Sequence, residues 1–214
     1  MALDILNNYA ELLVKLTSDT YSNELQASAE NLGESIDKGI KTYNKEYRKN
    51  RVPLESFGSV AAALVRGGGG IYIKRLQSKG LKEAVKNADP VVNEIITDVE
   101  NLLVDYLDSP DGNSLIRFAE DDLKEIYKNT VVLYGGKLPF QTVSTVVTEL
   151  EAVDDTIQLT EETLKAAKTY REAHAELSRN LQQKKSLKGV IEQVQVLADE
   201  VKAARKLKKK LDKK

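Results

Sequence analysis

The chain has no cysteine and no tryptophan, one histidine, one methionine, three phenylalanines and four prolines. Without cysteine there is no disulfide, no thiol nucleophile, no iron–sulfur cluster and no sulfur-ligated zinc. The single histidine, His174, excludes every metal motif that needs two, including the paired Glu-x-x-His of di-iron bundles. A serine hydrolase would have to recruit it, yet no G-x-S-x-G elbow is present. Its setting, Glu172-Ala173-His174-Ala175-Glu176, predicts a surface histidine beside two acids. So few prolines argue against a loop-rich or disordered chain. Aromatic residues make up 6%, which leaves core packing to Leu, Val, Ile and Ala.

Long apolar runs are also missing. No stretch reaches the roughly 18–20 residues of a spanning helix. The nearest, Phe57 to Ile73, is broken by Arg66 and four glycines. Asp4, Asn7, Asn8, Glu11 and Lys15 interrupt the first apolar stretch, so it reads as an amphipathic helix and not as the h-region of a signal peptide. On that reading the chain is soluble, either a cytoplasmic protein or the mature form of a cell-envelope protein.

What is present is charge and helical periodicity. Of 214 residues, 41% are hydrophobic and 30% charged, a balance that suits long thin helices better than a compact sphere. The net charge of −1 hides three blocks: +3 over residues 1–88, −13 over 89–163 and +9 over 164–214. Either the basic end lies against the acidic middle, or it meets an acidic partner, anionic lipid or nucleic acid.

Apolar residues recur three or four apart from Leu3 to Tyr47, which predicts one helix over residues 3–50, ended by Pro53. Gly33 and Gly39 weaken it by about 1 kcal/mol each, so close packing against a neighbour is expected there. A second helical segment spans 54–88, and Asp89-Pro90 reads as the cap and first position of a third. That third segment, 90–130, breaks at the turn-rich residues 108–114. From Phe140 onward there is no proline. One seven-residue repeat holds Val143, Val146, Leu150, Val153, Ile157, Leu164 and Ala167, and a second, out of phase with it, runs from Leu187 to Ala204. The pattern predicts an all-α protein: an elongated antiparallel helical bundle with coiled-coil character, three to five helices and a long C-terminal helix. Residues 1–138 are expected to form the bundle and 139–214 to pack on it, the basic end either folding back or projecting.

Few residues offer chemistry. Gly67, Gly68, Gly69 and Gly70 match neither the phosphate-loop pattern nor the dinucleotide pattern. They read as a close-packing or hinge element, with an anion site the least supported use. Together with Phe57, Arg66, Ile71 and Ile73 they form a candidate hinge or membrane-contact segment. Asp108, Asp111 and Asn113 lack calcium-loop spacing, because the twelfth position is Ala119 where a bidentate Glu is needed. Asp121-Asp122, Asp154-Asp155 and Glu161-Glu162 are helix neighbours that diverge by about 100° and cannot face each other across a cleft. The tail supplies Lys202, Arg205, Lys206, Lys208, Lys209 and Lys210 as a candidate anionic-surface contact, with no aromatic residue for base stacking.

The resulting expectation is a non-enzymatic structural or protein-interaction bundle with no catalytic residue, metal or cofactor. Its partner is a protein, self or other, met through helix surfaces. Two alternatives are a membrane-active protein that exposes residues 57–73, and nonspecific binding of anionic surfaces or nucleic acid by the basic C-terminus.

Overall fold

A computed structural model describes residues 1–17, 23–64, 73–108, 114–183, 189, 192–199, 202 and 206. Among the described residues there is no strand, and the helices exceed the three to five expected, because two of the predicted segments are split: α1 (Ala2–Leu16), α2 (Asn23–Tyr47), α3 (Gly58–Ala63), α4 (Ile73–Asp108), α5 (Leu115–Leu133) and α6 (Phe140–Gln182). Helical backbone returns at 192–199. No helix is long and apolar enough among these residues to cross a membrane.

The helix expected over residues 3–50 is two helices. α1 stops at Thr17, whose hydroxyl donates to the Val14 carbonyl at 2.9 Å, a side-chain bond that competes with helix continuation. α1 then lies against α2 and becomes the centre of the fold. Ile5, Leu6, Tyr9, Ala10, Leu12, Leu13 and Leu16 are all buried. The glycines of α2 permit this closeness. A Cβ on Gly39 would come within 2.8 Å of Ile5, and one on Gly33 within 2.6 Å of the Gly58 carbonyl oxygen. α3 is held there by Asp37, whose carboxylate accepts from the Gly58 and Ser59 amides at 2.7 and 3.0 Å. The extended stretch before it is tied down by Asn44, which both donates to and accepts from the Leu54 backbone at 2.9 Å.

Asp89-Pro90 does not start a helix. α4 runs through Pro90, because Leu81, Ala84, Val85, Ala88, Val91, Val92, Ile95 and Ile96 form one continuous buried stripe across it. Proline removes one amide and costs about 3 kcal/mol in a helix interior. Pro90 and Lys86, whose carbonyl loses its donor, both face water. Burying four side chains beyond the proline, at roughly 1.5–3 kcal/mol each, outweighs that cost.

Ser114 caps α5 by accepting from the Arg117 amide at 3.2 Å. α5 ends in a left-handed closure: Gly136 donates to the Val131 carbonyl at 2.9 Å and Gly135 to that of Val132 at 3.1 Å. Gly135 and Gly136 have φ of 58° and 84°, so glycine is required at this turn. α6 then returns antiparallel to α5 and runs on to pack against α4. Tyr170, Ala173, His174, Leu177 and Leu181 are buried there. α6 ends at Gln182, and Val194, Leu197 and Ala198 beyond it belong to the same core.

Candidate functional site

His174 is not at the surface. It is fully buried, one of the largest side chains with no exposure. It shares the α6 stripe with Tyr170 and Leu177, and α1 and α4 close over it. The Tyr9 hydroxyl lies 3.1 Å from Nε2, and Asp89 Oδ1 lies 3.4 Å from Nδ1. Burial lowers the imidazole pKa to about 4, and the Asp89 charge only partly opposes this. The ring is therefore neutral near pH 7, with Nε2 accepting the Tyr9 proton and Nδ1–H turned toward Asp89. The 3.4 Å contact does not satisfy hydrogen-bond geometry and Nδ1 has no partner by that criterion, so Asp89 acts on the ring through its charge. Burial also raises the Tyr9 pKa, with smaller contributions from Tyr170 and Asp89. Three helices converge on this array, with Tyr9 and His174 buried and the Asp89 carboxylate partly open to water.

A second polar cluster joins α2 to α4. Asp98 accepts from Arg48 Nη1 at 2.8 Å, Arg51 Nη1 at 2.6 Å and the Tyr43 hydroxyl at 3.0 Å. Arg48 also donates to Glu94 at 3.0 Å and, through Nε, to the Val52 carbonyl at 3.3 Å. Burial works against the Arg48 charge, but the bonds to Glu94 and Asp98 outweigh it and raise its pKa. Burial and the Asp98 bond together raise that of Tyr43. Beside the cluster lies a groove of about 350 Å³, edged by Ala2, Tyr47, Leu102 and Asp105. A second groove of about 620 Å³ follows the extended stretch, between Val52, Leu54 and Phe57 on one side and Lys86 and Pro90 on the other. Among the described residues no group of three or more His, Asp or Glu could hold a metal.

The third feature is an arm. Between Ile116 and Leu159, both buried, no residue is buried at all. The heptad positions Val143, Val146, Leu150, Val153 and Ile157 are half-buried, with α5 the helix that packs beside them among the described residues. At the end of the arm Val132, Leu133 and Phe140 are 78%, 83% and 85% exposed, and Tyr134 is 54% exposed.

The residues singled out from sequence fare unevenly. Phe57 is core, edge-on to Tyr9 with ring centroids 5.5 Å apart. Arg66, Gly67, Gly68, Gly69, Gly70 and Ile71 lie outside the described residues, and Ile73 opens the α4 backbone. Lys202 and Lys206 are helical and exposed, while Arg205, Lys208, Lys209 and Lys210 lie outside the described residues. The sequence reading missed Tyr9, Asp89, Asp98 and the arm tip. For His174 a signal existed, because Tyr170, His174, Leu177 and Leu181 keep helical spacing. No protein-family model, no curated protein and no solved structure matches the chain.

Proposed function

We propose that the chain is a non-enzymatic helical scaffold that works by presenting the α5–α6 arm to a partner, with a coiled-coil-like pairing of the two helices giving the molecule an elongated form. One observation carries this reading: residues 117–158 include no buried position, whereas every other long described helix contributes to the common core. A segment of that length without core burial contributes little to folding the body, yet it keeps large apolar side chains in water. Such surfaces mark interaction sites. The polar groups of the core are consistent with the same reading, because the Tyr9–His174–Asp89 array and the Asp98 cluster join helices to one another.

Replacing residues 118–157 by a short Gly/Ser loop tests it. The body is expected to keep its helical circular dichroism and a single cooperative melt within a few degrees of the full chain. Loss of the cooperative melt would place the arm in the folding core and defeat the proposal.

A further inference from the structure

We infer that the tip of the α5–α6 arm is an element for shallow insertion into the interface of a lipid bilayer. The inference rests on the arm reading above and names what the arm meets. Three observations carry it.

The first is exposure without a face. Val132, Leu133 and Tyr134 are consecutive and exposed, so at about 100° per residue they spread apolar surface around most of the end of α5, and half-buried Val131 adds to it. Phe140 and Leu138 continue that surface onto the start of α6. A helix docking onto another protein needs one apolar stripe, whereas an end that is apolar around most of its circumference needs an apolar medium around it.

The second is charge. Residues 126–148 contain no Asp or Glu, and their only ionic groups are Lys128 and Lys137. Immediately behind them stand Glu120, Asp121, Asp122 and Glu125 on α5, with Glu149 and Glu151 on α6. Acids are thus kept from the end of the arm, where a negatively charged lipid surface would repel them. Lysines are retained, and their long stems let the ammonium groups reach the headgroups.

The third is depth. Glu125 and Leu133 are eight positions apart, and Phe140 and Glu149 are nine positions apart. At 1.5 Å per residue the nearest acids lie about 12–14 Å behind the tip. An interfacial element buries its apolar part by about 5–10 Å, so the acids stay in water when the tip is inserted. The left-handed closure at Gly135 and Gly136 holds the two helix ends together as one wedge.

Flotation with phosphatidylcholine–phosphatidylserine vesicles tests this on the full chain. The protein is expected to float, and the double substitution Leu133→Glu, Phe140→Glu is expected to lower partitioning at least about tenfold, equal to about 1.4 kcal/mol. Both side chains are more than four-fifths exposed, so the variant should keep its circular dichroism and melt. The chain contains no tryptophan, which makes Phe140→Trp a unique reporter. Its emission should shift to the blue on vesicles and be quenched by a lipid-borne quencher, while Val104→Trp on α4 should not respond. Absence of flotation, flotation that ignores the double substitution, or an unresponsive Phe140→Trp overturns the inference. If the chain instead self-associates and the double substitution abolishes that without any vesicle binding, a second copy covers the tip. The lipid assignment then fails and the arm reading stands, whereas an arm-less variant that no longer melts cooperatively sinks the arm reading itself.

Discussion

The Tyr9 hydroxyl and the His174 Nε2, 165 positions apart in the chain, meet at 3.1 Å inside the core. Each is the other's polar partner where water is absent, and an unpaired buried donor or acceptor costs about 1–3 kcal/mol. The pair therefore fixes the rotation of α1 against α6, an alignment that the apolar residues around it would leave looser.

Stability should fall in mild acid because of His174. Unfolded, the imidazole takes up a proton near its ordinary value of 6.5, and folded it does so only at about 4. The folded state is favoured in full above pH 6.5, and that advantage is lost as pH falls from 6.5 toward 4, below which the effect levels off. A shift of this size is worth on the order of 3 kcal/mol. His174→Gln, which can still accept from Tyr9, should be less stable than the parent at pH 7.5 and lose less on going to pH 5. Urea melts at the two pH values would show it, and equal slopes for the two proteins would rule the mechanism out.

Arg48 and Arg51 share an acceptor but should differ in worth. Arg48 is buried and joins Glu94, Asp98 and the Val52 carbonyl, whereas Arg51 is largely exposed. Arg48→Ala leaves Asp98 short of a partner where it is mostly shielded from water, and a loss of roughly 3 kcal/mol is expected. Arg51→Ala should cost no more than about 1 kcal/mol. Denaturant midpoints measure both, and similar losses would mean that burial does not set the strength of this cluster.

The glycines of α2 should resist alanine despite its better helix propensity. A Cβ on Gly33 would press on the Gly58 carbonyl oxygen at 2.6 Å and on Ala62 at 2.8 Å. Backbone cannot swing aside, so overpacking of about 1–3 kcal/mol exceeds the roughly 1 kcal/mol gained in propensity. At Gly39 the obstacle is the Ile5 side chain, which can adjust, so Gly39→Ala should cost less than Gly33→Ala. A reversed order in thermal melts would contradict the packing argument.

Pro90→Ala should stabilise the chain. It restores an amide to the exposed side of α4 and relieves the clash with the Lys86 carbonyl, against a smaller loss from a freer unfolded state. A gain of about 2 kcal/mol, or roughly 4–8 °C in Tm for a domain of this size, is expected. An unchanged or lower Tm would mean that the proline serves the fold.

Local pattern alone determined that this chain is helical, because a three-and-four spacing of apolar residues tells which face of a helix seeks cover without reference to any partner. The same local rule explains Ser114 as a cap and the turn at Gly135 and Gly136. It could not show whether cover exists: Val143 and Leu150 are spaced like Tyr170 and Leu177, seven residues apart on one helix face, yet the first pair is only half-buried and the second pair is core. Nor could it foresee that α4 would pass through Pro90, that His174 would sink between three helices, or that Asp98 would gather Tyr43, Arg48 and Arg51. Those outcomes depend on which faces meet across long separations in sequence, and periodicity carries no information about that. Tertiary packing alone decided them, and in doing so it left the end of one hairpin bare.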